Sequence, residues 1–405
     1  MAEFGFEPWL AEARGLHRDI PVFVPYLEHY GETFKSASTA QADIAKIDAA
    51  GIRTFGCAIN GSSGGYGLPV GPREIRWCKT AEPPLLPLQR TIERTLAHAR
   101  ACPRARLITR ASELPAEPCG DSIGFFFLVT NQTQYVSVEA VDEAFRLGVR
   151  AAHIAGDFWT RSCPIHWSIN GREAPVLTEF GRQVVARMNE LGIVLDMAHM
   201  SDESTLAIIA ASAKPVIDSH TCSRTLVPSS RGHRDEALRA IADCGGVAGI
   251  HFADHMLTQA VYGPKYPVDI YEPEPARLAY NRWIMSVPRD IEEFHRLRKS
   301  REEFERFLRD NGLPPPRPIP STRMATLTHM AEHIEYMVNV MGIDHVGLGG
   351  DINGIGWDQW PLGMDHTGEL PHLTAELLRR GWKEEALRKL LSDNWRRVFA
   401  ECLPD

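Results

Sequence analysis

Two histidines stand at the ends of apolar segments and could bind a metal ion together. The segment VLDMAHMS reaches His199, and PVIDSH ends with His220. Successive parallel strands deliver their final side chains to one edge of a sheet, so the two imidazoles are expected to meet there. Neutral imidazoles are good ligands for zinc and related metals. Either histidine alone would be an ordinary core or rim residue, but the pair predicts a metal site.

One carboxylate and two arginines extend this set. Asp351 closes GLGGD at the end of the last apolar segment. It could bind the metal or take a proton from water, and an Asx turn or helix cap is the alternative. Arg224 and Arg231 follow His220 in one loop. A guanidinium there could clamp a substrate carboxylate, while a solvated loop arginine is the other interpretation.

The elements that must position these residues alternate between short apolar segments and longer amphipathic ones. Eight apolar segments recur: PVFVPYL, IRTFGCAI, GFFFLVT, RAAHIA, GIVLDMAH, KPVIDSH, GGVAGIHF and DHVGLGGD. Continuous apolar runs are typical of strands covered on both faces, and patterns such as TEFGRQVVARMNELG are typical of helices closed by glycine. Since the polar residues follow the strands at their carboxyl ends, we predict an α/β fold, a (β/α)8 TIM barrel, over a doubly wound open sheet.

The chain is predicted to form a single barrel domain over residues 1–405, with a long helical insertion at 253–320 after the seventh strand. The insertion contains the charged segment RDIEEFHRLRKSREEFERFLRDNG. An amphipathic surface helix is the simpler interpretation, and a lid or subunit contact is the alternative. Residues 59–84, rich in Gly and Pro, are predicted as a long loop at the active-site face.

Bulk properties narrow the classes of partner and the compartment. The formal net charge of −8 lacks the basic field that nucleic acid requires. The sequence shows no signal peptide and no apolar run long enough to cross a bilayer, so we expect a cytoplasmic protein without a membrane partner. Its eight cysteines form no CxxC pair, which argues against a zinc ribbon. A small-molecule substrate is expected, and homo-oligomerisation is left open.

Four segments carry a specific resemblance: GIVLDMAHMS, PVIDSHTCSR, HIEYMVNVMGIDHVGLGGDINGIG and LLRRGWKEEALRKLLSDNWRRVFAE. Together they resemble the membrane (renal) dipeptidase family, metallopeptidases of the amidohydrolase-like barrel superfamily (M19). The resemblance is weakest in the N-terminal third and absent from 253–320. It implies hydrolysis of dipeptides or related amides at a two-zinc centre, with a bridging hydroxide as the nucleophile.

The resemblance assigns several roles. It implies that His199 and His220 are ligands of the second zinc, that Asp351 is the catalytic aspartate, and that Arg231 grips the substrate carboxylate.

Other positions depart from the family pattern. PVFVPYLE aligns with a PVIDGHND-like segment, so that Tyr26 stands for the ligand histidine and Glu28 for the ligand aspartate. Thr130 or Asn131 stands where the bridging glutamate would lie, and Asn131 becomes a candidate substrate contact. A further family histidine after the fourth strand is replaced near Gly156.

The triplet His17-Arg18-Asp19 also spells His-x-Asp, but it precedes the first strand and should lie at the opposite end of the barrel. A shifted alignment would make His17 and Asp19 ligands, and the sequence leaves this open.

We therefore expect a metal-dependent hydrolase of a small peptide or amide that bears a carboxylate. Without the bridging carboxylate, one divalent ion is expected instead of two: zinc, or alternatively iron or manganese, on His199, His220 and Glu28. Asp351 would accept the proton of water, and Tyr26 would donate a hydrogen bond to the oxyanion. The same residues also permit a lyase, an isomerase, an iron-dependent enzyme or a metal-free pseudoenzyme.

Overall fold

The computed structural model describes residues 5–29, 33–38, 40–60, 67–71, 74–77, 85–118, 120–130, 137–154, 177–229, 231–261, 279–280, 282–283, 286, 301–313, 325–355 and 360–405. Several predicted features lie outside these residues: Asn131, Gly156 and most of the 253–320 insertion. Of the charged helix predicted in that insertion, the described part is Arg301–Asp310.

Eight parallel strands close into a barrel. In chain order the strands are β1 (Val22–Glu28), β2 (Ile52–Asn60), β3 (Gly67–Gly71), β4 (Glu74–Trp77), β5 (Ala105–Leu107), β6 (Ile123–Thr130), β7 (Val149–His153), β8 (Val194–Asp196), β9 (Ile217–Thr221), β10 (Val247–His251) and β11 (Val346–Ile352). The sheet runs β2-β1-β11-β10-β9-β8-β7-β6, and a β2–β6 pairing closes it. These eight strands correspond to the eight apolar segments, so the predicted TIM barrel is confirmed.

The remaining strands lie beside this barrel. β5 extends the sheet at β6, and β3 pairs with β4 as an antiparallel hairpin. This hairpin falls within 59–84, which the sequence predicted as a loop only.

Helices follow the strands. They are α1 (Leu10–Asp19), α2 (Ile44–Ala49), α3 (Leu86–Arg100), α4 (Val138–Arg146), α5 (Glu179–Leu191), α6 (Asp202–Ala211), α7 (Asp235–Asp243), α8 (Asp254–Leu257), α9 (Arg301–Asp310), α10 (Leu327–Met341), α11 (Leu370–Arg379), α12 (Glu384–Arg388) and α13 (Asn394–Cys402). Side chains satisfy the first backbone donors of several of them: Ser201 Oγ accepts from the Ser204 N–H at 3.2 Å, at the start of α6. Among the described residues, no helix has the length and apolar character needed to cross a membrane.

The barrel interior is filled from its amino-terminal end by α13. Trp395 is fully buried and donates from Nε1 to the Leu348 carbonyl at 2.9 Å. Phe399 packs against Phe23 with ring centroids 5.0 Å apart. The glycines of the GLGGD segment make room for the indole, because a Cβ at Gly347 would lie 2.3 Å from Trp395 Nε1. Trp395 and Phe399 thus form a plug at the amino-terminal end of the barrel, and the polar side chains lie at the carboxyl-terminal rim.

The loop that joins β9 to α7 is held by a buried charge network. His233 lies between two carboxylates: Nδ1 is 2.8 Å from Asp202 Oδ1, and Nε2 is 2.8 Å from Asp218 Oδ2. Since both ring nitrogens face carboxylate acceptors, the doubly protonated imidazolium fits best. Burial alone would lower the pKa of His233, but these two hydrogen bonds raise it to about 9.

Arg224 ties the same loop together. Its guanidinium donates to Asp202 Oδ2 at 3.0 Å and to the carbonyls of Ser229 and Gly232 at 3.1 and 2.7 Å. Together with His233 it fixes the segment on which Arg231 stands.

The plug predicts that Gly347→Ala destabilises the fold. The added methyl group would overlap the indole, which should lower the free energy of unfolding by about 1–3 kcal/mol. Denaturant-induced unfolding followed by tryptophan fluorescence measures the change. Gly15→Ala in α1 is the matched control, because its Cβ would meet only Arg18 Nη2 at 3.8 Å. A helical Gly→Ala change of this kind should stabilise by about 0.5–1 kcal/mol. Equal effects of the two substitutions would contradict the close contact with Trp395.

The His233 network predicts a pH-dependent part of the stability. The pKa of His233 rises from 6.5 to about 9 on folding, so its contribution is complete below pH 6.5 and is lost as the pH rises through about 9. His233→Gln should therefore cost about 3–5 kcal/mol at about pH 6, and much less at about pH 9.5. Denaturant unfolding of both proteins across this pH range provides the measurement. A gap that stays constant with pH would mean that His233 is neutral in the folded protein.

Candidate active site

The carboxyl ends of the barrel strands bring a dense group of polar side chains to one rim. The group comprises Tyr26 and Glu28 from β1, His153 from β7, Asp196 from β8, His199 just after β8, His220 from β9, His251 from β10 and Asp351 from β11. In a (β/α)8 barrel this face is where active sites form. These side chains therefore converge at the carboxyl-terminal rim of the barrel, which is where the sequence predicted the site.

His199, His220 and Arg231 meet directly. His199 Nε2 lies 3.1 Å from His220 Nε2, and Arg231 Nη2 lies 3.1 Å from His199 Nε2. A guanidinium can only donate, so His199 Nε2 accepts from it and carries no proton. Ser219 Oγ is 2.8 Å from His220 Nδ1 and can accept its proton, which leaves the Nε2 of His220 available as a ligand atom.

A second grouping shares His220. Donor atoms of His220, His251 and Asp351 all lie within 4.8 Å of one another, as is required of side chains that hold one cation. His251 Nε2 is 3.3 Å from Asp351 Oδ2. Among the described residues, the predicted ligand set of His199, His220 and Glu28 does not form such a group.

Tyr26 fills the space beside these imidazoles. Its ring centroid lies 4.1 Å from that of His220 and 5.8 Å from that of His153, on which it stacks with an interplanar angle of 6°. The hydroxyl donates to Glu28 Oε1 at 3.4 Å. Tyr26 is thus held as a buried, oriented hydrogen-bonding group at the rim.

His153 is held by a carboxylate buried in the barrel. Its Nε2 is 3.0 Å from Asp196 Oδ2, and Asp196 Oδ1 accepts from the backbone N–H groups of Ala198 and Ser219 at 3.1 and 2.8 Å. Burial opposes the ionisation of Asp196, but His153 and Ser219 keep its pKa below the usual value. Asp196 therefore stays ionised and links β8 and β9 beneath the site.

Electrostatics keep two of the imidazoles unprotonated. Burial, and then the positive charge of Arg231, lower the pKa of His220 well below its usual value, and the same two causes lower the pKa of His251. Neutral imidazole is the form that binds metal ions.

Backbone strain is concentrated at the rim. Among the described residues, the non-glycine positions with positive φ are His199 (71°), Asp351 (67°) and Asn353 (63°). Side chains with a Cβ rarely adopt this region, and residues that do so cluster at functional sites. Two of the three are site residues that the sequence had singled out.

The two predicted arginines differ in their contacts. Arg231 Nη1 is buried and has no hydrogen-bond partner among the described residues, whereas Arg224 donates to Asp202 and to the loop carbonyls. Of the two arginines, Arg231 is thus the one with a hydrogen-bond donor left for a ligand.

His17 and Asp19 lie on α1, before the first strand. His17 Nδ1 is 2.6 Å from the Ala50 carbonyl and Nε2 is 2.8 Å from Thr374 Oγ1, so both ring nitrogens are used structurally.

Sequence reasoning missed three histidines. His251 ends GGVAGIH and His153 ends RAAH, so the rule that selected His199 and His220 would have selected both. The family histidine after the fourth strand was expected to be replaced near Gly156, but the fourth barrel strand itself ends in His153. The role of His233 depends on two carboxylates far apart in sequence and had no sequence signal.

Comparison with known proteins identifies the family. The family model described as Membrane dipeptidase (Peptidase family M19) matches residues 86–403. The chain is 26% identical over 261 residues to an uncharacterized protein in the pqqA 5' region of Klebsiella pneumoniae, which covers 63% of this chain and 73% of that protein.

Solved structures share the fold. The probable dipeptidase PvdM from Pseudomonas aeruginosa superposes with a TM-score of 0.68 at 20% identity, covering 98% of each chain. A metallopeptidase from Rhodobacter sphaeroides, liganded with a phosphinate mimic of the dipeptide L-Ala-D-Ala, gives a TM-score of 0.65 at 19% identity, covering 95% of this chain and 99% of that one. Because the family model spans most of the chain, this protein is a hydrolytic enzyme that belongs to the membrane dipeptidase family, peptidase family M19.

Proposed function

We propose that the protein hydrolyses a dipeptide, or a small amide that bears a carboxylate, with the help of one divalent metal ion, most favourably zinc. The observation that supports this best is the meeting of His199 Nε2 and His220 Nε2, 3.1 Å apart, beside a buried arginine nitrogen without a hydrogen-bond partner among the described residues. Lone pairs for a cation and a donor for an anion are thus adjacent.

The donor set suits such an ion. His199 and His220 offer nitrogen atoms, and Asp351 offers the carboxylate that lies within 4.8 Å of His220. Glu28 remains a proposed additional oxygen ligand, since Tyr26 connects it to the imidazoles. A divalent ion in this set would supply Lewis-acid polarisation of a carbonyl and would lower the pKa of water.

Two substitutions support one ion instead of two. Tyr26 places a phenol ring 4.1 Å from the His220 ring, and Thr130 donates its hydroxyl to the Ile59 carbonyl at 3.4 Å. Neither residue supplies a carboxylate between two cations. Two divalent charges held close together without such a bridge would repel strongly.

The residues of the chain have separate tasks in this proposal. Arg231 binds the substrate carboxylate through Nη1, which places the scissile amide over the histidines. Asp351 accepts the proton of the attacking water and returns it to the leaving amine. Tyr26 donates a hydrogen bond to the oxygen of the carbonyl as negative charge develops there.

Removal of His199 should remove the metal. Elemental analysis of the gently purified wild-type protein should give about one ion per chain, and His199→Ala should give almost none, because a site with two imidazoles and a carboxylate loses an essential ligand. His17→Gln is the control and should keep the ion, since His17 is used by Ala50 and Thr374. Metal retained by His199→Ala would overturn the assignment of His199 as a ligand. Metal lost from His17→Gln would show that the ion depends on His17 instead. Redox-active iron in the wild type would favour a non-hydrolytic reaction.

Removal of Arg231 should weaken substrate binding more than metal binding. Loss of charge-assisted hydrogen bonds should raise KM for a dipeptide about 10- to 100-fold, because such bonds contribute about 1.5–3 kcal/mol each. Steady-state kinetics of Arg231→Ala with a dipeptide and with its C-terminal amide separate the effects. The amide lacks the carboxylate, so the substitution should change its KM little. A similar rise in KM for both substrates would argue against a carboxylate clamp.

A further inference from the structure

His251 makes two different contacts through its two ring nitrogens. It ends β10 and is 2% exposed. The backbone N–H of Ala253 donates to Nδ1 at 2.9 Å, and Nε2 lies 3.3 Å from Asp351 Oδ2. Each nitrogen therefore has its own neighbour, one a donor and the other an acceptor.

These contacts determine which nitrogen carries the proton. A ring nitrogen that accepts from a backbone N–H must present a lone pair, so Nδ1 carries no proton. The neutral ring then has its single proton on Nε2, which faces the carboxylate of Asp351. This conclusion follows from the neighbours of the ring alone.

The same reasoning separates His251 from His220. An Nε2 that carries a proton has no lone pair for a cation, whereas the Nδ1 of His220 lies 2.8 Å from Ser219 Oγ, which can accept its proton and leave Nε2 free to bind. Donor atoms of the two histidines and Asp351 lie within 4.8 Å of one another. The two rings differ in the Nε2 atom, which carries a proton in His251 and a lone pair in His220.

We infer that His251 is a positioning residue that holds the carboxylate of Asp351 through Nε2–H, and that it is not a metal ligand. The inference deepens the proposed function, because it rests on Asp351 as the group that accepts the proton of water. A hydrogen bond from Nε2–H would fix Asp351 Oδ2, the oxygen that lies 3.3 Å from His251 Nε2. Hydrogen bonds of this kind orient carboxylates at metal centres.

The backbone supports this pairing. The register between β10 and β11 shifts between Ile250 and His251, and the Phe252 N–H donates to the Gly350 carbonyl at 3.2 Å. Asp351 itself has a φ of 67°. Bulges re-aim side chains next to active sites, and here the extra residue of β11 is Gly349, two positions before Asp351, while His251 is the first residue of β10 after the shift.

The first test is nuclear magnetic resonance of the metal-free wild-type protein labelled with 15N at histidine. A protonated and an unprotonated ring nitrogen have well-separated 15N shifts, and the spectrum of His251→Gln identifies the signals of His251. The expected result is an unprotonated Nδ1 and a protonated Nε2. A protonated Nδ1 would overturn the inference, whatever the enzyme hydrolyses.

The second test compares metal content and turnover in three variants. His251→Gln, whose amide can donate from near the position of Nε2, and His251→Ala should both keep the wild-type number of zinc ions per chain after equilibration with zinc, whereas His220→Gln should lose the ion. For a dipeptide, kcat of His251→Ala should fall about 10- to 100-fold with little change in KM, and His251→Gln should recover part of it. Loss of zinc from both His251 variants, as in His220→Gln, would show that His251 is a ligand.

Failure of the proposed function has a different signature. A wild-type protein that neither binds zinc nor hydrolyses dipeptides would refute that function, while the proton positions of His251 would still support or contradict the pairing with Asp351.

Discussion

The arrangement at the barrel rim depends on keeping crowded imidazoles neutral beside a fixed positive charge. The ring centroid of His220 lies 5.1 Å from that of His199 and 5.3 Å from that of His251, and Arg231 donates to His199. Burial, and then repulsion by the positive charge of Arg231, hold the pKa of His220 and the pKa of His251 well below their usual values, because each added proton would place a second cation in a buried space. The rim therefore offers nitrogen lone pairs and one arginine, which suits a cation and an anionic ligand bound together.

The carboxylates around the rim complete this balance, and each serves a different histidine. Asp196 pairs with His153, Asp351 faces His251, and Asp218 pairs with His233. The first two lie beside the imidazoles that line the rim, and the third stabilises the loop of Arg231. Because buried carboxylates are costly unless they are paired, Asp196 and Asp218 each constrain the histidine they face: His153 at the end of β7, and His233 in the loop between β9 and α7.

The sequence predicted the frame well and the local chemistry less well. Continuous apolar runs revealed all eight barrel strands, because a strand buried on both faces needs apolar side chains throughout. The sequence placed His199, His220 and Asp351 at the carboxyl-terminal rim, because a position at or just after the end of a strand is a one-dimensional signal.

The contacts that define the site are not one-dimensional. Tyr26, which stacks on His153, and His251, which faces Asp351, lie at register shifts of β1 and β10, and neither strand shows its bulge in its residue pattern. The same is true of His233, which bridges two carboxylates 15 and 31 residues away along the chain.

Tyr26 and Glu28 now have a physical interpretation. A ligand histidine in the place of Tyr26 would add another nitrogen donor beside His220, whereas the phenol adds a ring that packs on two imidazoles and a hydroxyl bound to Glu28. The exchange lowers the capacity of the rim for a second cation and adds a hydrogen-bond donor close to the proposed ion. Such a donor stabilises negative charge on a substrate oxygen without the repulsion that a second cation would bring. The departure from the family pattern at β1 is therefore compatible with hydrolysis at a site that relies on one ion and one phenol.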